Sequence, residues 1–318
     1  MQGLGFMIWK LSRIQKKYSP VSFASMCADH GIRWLSWKCA EYDQPYNQVG
    51  GNDKVLVEYM QACEAAGIES GGWGYQYPDK PGAQAGRIAE RIAKFSGNLN
   101  RFGHWMVNVE REWKKPNLGQ AIDALLSIDI NAKFPVSYCS YRYPESHAEM
   151  NHARFLKHPT IKFTAPQVYW LGAHNPRVQL EESFRQYSKL PSIQFVPIGC
   201  TFNYGTWFPS GQELKDFVAH CIERRWYTYG FYSLDWILEN NRMDYLAAIS
   251  GQVVNPPPPM STHVVTTAAI NPRTRPVVAD DTDAGTLVKG KVFEKVGAAQ
   301  DGWQAIKVYV SDKYVENV

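Results

Sequence analysis

Short apolar runs alternate with longer amphipathic stretches along the chain, and the pair recurs eight times. Runs rich in branched and aromatic residues predict strands, whereas apolar positions three and four apart predict helices. The first pair is "GFMIWKL" (5–11) and "SPVSFASMCADHG" (19–31), the helix opening on Ser-Pro and closing on Gly. "IRWLSWKCAEY" predicts the second strand, and "DKVLVEYMQACEAAG" its helix, with an Asp cap and a Gly stop. "IESGGWGYQYP" with "AQAGRIAERIAKFSG" makes the third pair, and "HWMVNVEREW" with "LGQAIDALLSI" the fourth. "FPVSYCSYRY" with "HARFLKH" and "KFTAPQVYW" with "VQLEESFRQYSKL" follow. "SIQFVPIGCTF" with "SGQELKDFVAHCIERRW" and "YTYGFYSLDW" with "RMDYLAAIS" complete the series. Eight strand–helix units in roughly 250 residues predict an α/β fold, a (β/α)8 barrel. A doubly wound open sheet would show the same alternation, but the chain contains neither GxGxxG nor a P-loop.

"NPPPPM" (255–260) ends the pattern, because a proline run continues neither helix nor sheet and acts as a stiff spacer. Beyond it, short β-rich runs separated by Asp/Gly turns predict a small all-β barrel. The expected organisation is a barrel over 1–254, a linker over 255–266 and a small β domain over 267–318.

The fourth strand raises the functional question. In "MVNVEREW" (106–113), Asn108, Glu110 and Glu112 alternate with Val107 and Val109, so a strand would send the polar groups to one side. Burying an acid on a central strand is costly unless it is paired or used. In a (β/α)8 barrel the active site lies at the C-terminal ends of the strands. That rule selects Glu41 and Asp43 after strand two, Glu110 and Glu112 on strand four, and Asp235 on strand eight. Tyr75, Gln76, Asn108, Tyr138, Gln167, Tyr169 and Trp236 join them at the expected mouth. Carboxylates among aromatic rings suit glycoside hydrolysis, in which one acid protonates the leaving oxygen and a second group stabilises the anomeric carbon.

Composition narrows the reading. A net charge of +4 suits an anionic polymer such as cell-wall glycan and is too diffuse for nucleic acid. The aromatic content of 14% supplies rings of the kind on which sugars stack. Six cysteines (Cys27, Cys39, Cys63, Cys139, Cys200, Cys221) stand singly without CxxC, which argues for buried thiols rather than zinc or a disulfide framework. "ESHAEMNH" (145–152) gathers His147 and His152 without metal-ligand spacing, and Ser233 lacks a GxSxG elbow. No metal or cofactor is expected. The N-terminus lacks the order of a signal peptide, and no apolar run is long enough to span a bilayer. The expectation is synthesis in the cytoplasm and delivery to the wall by lysis or by a machine.

"WLSWKCAEYD", "AGIESGGWGYQYP", "VNVE", "FPVSYCSY", "APQVYW" and "GFYSLDW" resemble successive strands of glycoside hydrolase family 25, the muramidase-type lysozymes, over residues 5–245. The resemblance implies a general acid at Glu110 and a strand-eight carboxylate at Asp235. Two positions depart from that family: Asn108 stands where its strand-four motif has Asp, and strand one carries Trp9 and Lys10 with no Asp. Asn108-Val109-Glu110 is also similar to the pair of family 85 endo-acetylglucosaminidases, which implies substrate-assisted catalysis with Asn108 orienting an acetamido group and Tyr169 helping. The segment from "GTLVKGKVFEKVG" onward resembles a bacterial SH3-like domain, which implies wall binding, with Trp303 and Tyr309 as contacts.

The sequence thus supports a lysozyme-like glycosidase of β-linked N-acetylated polysaccharide, peptidoglycan first, acting within a phage lysis system or injection machine. A glycan-binding or structural module that kept the barrel and lost catalysis is the competing reading. A glycosidase of a non-wall polysaccharide is a third.

Overall fold

The computed structural model describes residues 1–191 and 193–251, together with three short strands further on. The chain divides into two compact units, Met1–Asn255 and Pro256–Val318. In the first, eight parallel strands close into a barrel: β1 (Gly3–Ile8), β2 (Trp34–Glu41), β3 (Glu69–Gln76), β4 (Phe102–Val109), β5 (Val136–Tyr141), β6 (Ile161–Gln167), β7 (Ile198–Cys200) and β8 (Thr228–Tyr232). Closure is made where β1 pairs β8 through Gly5 and Gly230 and β2 through Phe6 and Leu35. Around it run α1 (Leu11–Gln15), α2 (Pro20–Asp29), α3 (Lys54–Ala65), α4 (Pro81–Ser96), α5 (Gly119–Leu126), α6 (His152–Lys157), α7 (Pro176–Tyr187), α8 (Gly211–Glu223), α9 (Leu234–Glu239) and α10 (Met243–Ser250). Among the described residues no helix is long and apolar enough to cross a membrane.

Local chemistry explains the boundaries. Ser19 caps α2 by accepting from the Ser22 amide, with Pro20 in the first turn. Ser210 and Glu213 form a reciprocal capping box on α8. The seventh strand, expected as one run, is split into Gln194–Phe195 and Ile198–Cys200, because Pro197 between them has no amide hydrogen to donate. The first strand ends at Ile8 rather than Leu11, since the Trp9 and Lys10 amides turn away to Asp235.

The core has two layers. Leu4, Phe6, Ile8, Val107 and Val109 face outward against the helices, whereas Met7, Trp34, Trp73, Met106, Cys139, Phe163 and Ile198 fill the lumen. Trp34 crosses the floor of the lumen and donates to the Gly3 carbonyl at 3.0 Å. A Cβ at Gly5 or Gly230 would lie 1.9 or 2.6 Å from its ring, so glycine is required there. The barrel is therefore packed below and can be open only at its C-terminal end. All six cysteines are buried free thiols. Burial pushes the Cys39 and Cys63 thiols up to about 12.

Asp53, expected as the cap of α3, makes no cap hydrogen bond. Its two oxygens instead accept from Arg91 at 2.6 Å each, and Lys94 lies 2.5 Å away. This buried bridge joins α3 to α4. In the second unit, His263–Val265, Val292–Lys295 and Ile306–Lys307 form an antiparallel sheet in that order. The SH3-like assignment, with Trp303 and Tyr309, lies outside the described residues.

Replacing Asp53 with Ala should destabilise the barrel by about 3–5 kcal/mol, because Arg91, 1% exposed, would be left as a buried unpaired charge. Burial draws the Asp53 carboxyl upward, but Arg91 and Lys94 outweigh it and hold the group at about 2, against an ordinary 3.8. The depressed value means the bridge stabilises fully above about pH 4 and ceases to do so as the pH falls toward 2. Urea midpoints between pH 2 and 5 check this: Asp53→Asn should show a shallower loss than the parent chain.

Candidate active site

Along β4, Met106 and Asn108 point into the lumen while Val107 and Val109 face the helices. The strand stops at Val109. Glu110 follows, and Arg111–Trp113 form a 3-10 turn anchored by Trp113 donating to the Gln76 carbonyl at 2.9 Å. Glu110 is half-buried at the mouth. Its Oε1 accepts from Asn108 Nδ2 at 3.0 Å and from Gln167 Nε2 at 2.9 Å. Gln167 Nε2 also donates to Asn108 Oδ1 at 3.0 Å, using its second hydrogen. Two amides thus hold one oxygen of the acid, and among the described residues its Oε2 accepts no hydrogen bond.

Rings gather around this acid. Tyr75, Tyr169 and Tyr232 are half-buried and packed on the lumen cluster. Burial raises all three phenols, and the charge of Glu110 adds to the rise in each, so they remain hydrogen-bond donors. Tyr75 donates to Glu112 Oε2 at 2.7 Å. Arg111 donates to Glu112 Oε1 at 2.8 Å. Burial alone would raise Glu112, but these two donors hold its carboxyl below the usual range. Glu112 therefore sits beside Glu110, tied up as an anion.

Asp235, expected as the second catalytic acid on strand eight, lies instead in α9 and is 0% exposed. Its Oδ1 accepts from the Trp9 amide at 2.8 Å, and its Oδ2 from the Lys10 amide at 3.2 Å and Arg13 at 3.1 Å. Burial raises this carboxyl against the pull of those donors. A sealed carboxylate cannot touch a sugar, so Asp235 is a positioning residue for the β1–α1 turn. Asn108 is also less free than expected. It is 4% exposed, with both ends of its amide engaged by Glu110 and Gln167, and it steadies the acid.

Two other expected mouth residues lie elsewhere. Gln76 is level with Val109 in the β3–β4 pairing and faces outward, fully buried. Tyr138 also faces outward, bonded to His152 at 2.6 Å and stacked on Phe155, because Cys139 takes the lumen position. Trp236 packs on the outer core from α9. Period-two alternation leaves neighbouring strand residues on opposite faces, so nearness to a strand end was not a sufficient guide. Glu41, at the end of β2, pairs with Lys38 at 2.8 Å. His152, from the histidine-rich segment, is pushed down to about 4 by burial and stays neutral against Tyr138. Sequence reasoning missed Trp9 and Lys38 as mouth residues; strand parity within β2 was the available signal for Lys38.

No protein-family profile matches the chain, and no curated protein matches it in sequence. Solved structures resemble it in fold. A class V chitinase from Pseudomonas fluorescens Pf-5 gives a TM-score of 0.55 at 6% identity, over 79% of this chain and 99% of that one. The spore cortex-lytic enzyme SleL of Bacillus megaterium QM B1551 gives 0.52 at 10% identity, over 77% and 73%. A tamarind chitinase-like lectin gives 0.51 at 11% identity, over 78% and 99%. The chain thus has the closed (β/α)8 barrel found in glycoside hydrolases, and at these identities the shared property is the fold.

Asp235→Ala should destabilise the barrel by about 2–4 kcal/mol, since it orphans two backbone amides and half of Arg13's pairing. Glu110→Gln should unfold within about 1 kcal/mol of the parent chain, because a half-buried amide keeps the shape and removes no buried ion pair. Parallel urea titrations of the two variants check the contrast. Equal losses would place Asp235 outside the structural role given to it.

Proposed function

We propose that the chain is a glycoside hydrolase of β-linked N-acetylated polysaccharide, with peptidoglycan as its leading substrate and Glu110 as the proton donor. The observation that carries this is the state of one side chain. Glu110 stands at the barrel mouth with one oxygen held by two amides and the other unengaged among the described residues, beside phenols that remain protonated. A general acid needs that combination of fixed geometry and a free oxygen within reach of the leaving group.

The route follows from what surrounds it. Asp235 is sealed, and Glu112 is committed to Tyr75 and Arg111. Neither of these two carboxylates is thereby presented as nucleophile, and Glu41 is paired with Lys38, which favours the substrate's own acetamido oxygen. In that reading the acetamido oxygen attacks the anomeric carbon as the glycosidic bond breaks, and Glu110 gives its proton to the leaving oxygen. The Glu110 carboxylate then takes a proton from water, which opens the cyclic intermediate and restores the acid. Tyr169 supplies a hydrogen bond to the acetamide, while Asn108 and Gln167 hold the acid in place. The motif likeness to family 25 and the fold likeness to a chitinase and a cortex-lytic enzyme support the substrate class. Tethering by an SH3-like C-terminal segment, and release by a phage lysis system or injection machine, complete the proposal.

The competing reading, a glycan-binding module without catalysis, is favoured by Trp9 and Lys10 standing where family 25 has a strand-one Asp, and by the lectin of the same fold. Incubation of the purified chain with bacterial walls, followed by assay of reducing ends, separates the two. The hydrolase reading expects release that Glu110→Gln lowers by at least about 100-fold. It also expects walls stripped of their N-acetyl groups to resist. Wild-type chain that sediments with walls yet releases no reducing ends would establish the binding module instead.

A further inference from the structure

At the ends of β1 and β2, two lysines and Arg13 share one indole. Lys10 Nζ lies 4.4 Å from the Trp9 ring centroid, and Lys38 Nζ lies 5.9 Å from it. Lys38 comes from a lumen-facing position on β2. Its side chain is 6% exposed, and Tyr46 and Trp73 wall its ammonium at 4.1 and 5.2 Å. One carboxylate, Glu41 at 2.8 Å, faces Lys38. Among the described residues, none lies within ion-pair distance of Lys10, which is half-buried. Burial pushes Lys38 down, Glu41 opposes this, and the nearby Lys10 charge adds to the depression.

The pair is held by design of the backbone rather than by side-chain chance. Asn47 donates to the Trp9 carbonyl at 2.9 Å and the Lys38 carbonyl at 3.0 Å, and accepts from the Leu11 amide at 2.9 Å. Asp235 fixes the Trp9 and Lys10 amides from behind. Two ammonium groups near one indole repel each other, and Glu41 pairs with Lys38 alone. Arg13, 5.1 Å from the same indole centroid, has its own partners in Asp235 and Glu239, so among the described residues the ammonium left without an ion-pair partner is that of Lys10. Its position is on the substrate path: Trp73 stands 6.1 Å from Tyr232, whose phenol feels the charge of Glu110.

We propose that Lys10 and Lys38 form an anion subsite that selects N-acetylated glycans carrying a carboxylate over neutral ones. A neutral N-acetylglucosamine polymer offers these ammonium groups nothing but hydroxyls, whereas a sugar bearing a lactyl or uronic carboxylate completes the charge pairing. This inference rests on the glycan reading of the mouth and names its substrate class.

The test uses the full chain carrying Glu110→Gln, so that bound glycan stays uncut. Peptide-free peptidoglycan strands with free lactyl carboxylates are compared by calorimetry with the same strands after conversion of those carboxylates to methylamides. The charged strands should bind about tenfold tighter. That preference should shrink with added salt. It should collapse toward unity when Lys10→Gln is added. Lys10 lies at the rim, so its replacement leaves the fold testable; Lys38→Met serves as a second variant after its unfolding midpoint is checked. Equal binding of charged and neutral strands, or a preference that survives Lys10→Gln, overturns the anion subsite and leaves the hydrolase reading standing. Failure of both strands to bind overturns the glycan reading together with it.

Discussion

A closed parallel barrel permits each strand residue only two directions, into the lumen or out toward the helices, and every feature of the mouth follows from that restriction. Closure between β1 and β8 leaves no free edge, so a strand cannot rotate to redirect a side chain. Asn108 points inward because Met106 does, and Glu110 continues that line past the strand end. Tyr138 points outward because Cys139 points inward. The packed floor, where Trp34 crosses against Gly5 and Gly230, leaves the C-terminal end as the place where inward-facing polar groups meet solvent.

Within the mouth, roles are divided by how fully each charge is satisfied. Asp235 and Glu112 each accept from several donors and are fixed as anchors. Glu110 is anchored through one oxygen and open at the other. In a poorly solvated site an unpaired polar atom is costly unless a ligand satisfies it, so incompletely satisfied groups are the ones to associate with function. The same reasoning applies to the Lys10 and Lys38 pair, which carries more positive charge than Glu41 alone offsets. The mouth thus has Glu110 and Glu112 after β4, Lys10 and Lys38 with Glu41 at β1 and β2, and the rings of Trp73 and Tyr75 on β3 between them.

The eight strand–helix pairs, and Glu110 as an inward acid, were legible in the chain because periodicity and strand parity are local properties. Gln167, Tyr169 and Tyr75, marked in the sequence by their place near strand ends, are gathered around Glu110. Gln76 and Tyr138 were not, since a position next to a strand end does not by itself say which face a side chain takes. Asp235 could not be assigned in advance, because its partners, the amides of Trp9 and Lys10, lie more than two hundred positions away along the chain.

By itself, then, the sequence determined the order of elements, the barrel they build and the direction of the β4 side chains, since each depends on neighbours a few residues apart. Tertiary structure decided which acids are free and which are bound. It also decided that Asn108 serves Glu110, and that Lys10 and Lys38 meet over Trp9. Those outcomes depend on contacts between strands remote in sequence, and burial and hydrogen-bond satisfaction exist only once the barrel has closed.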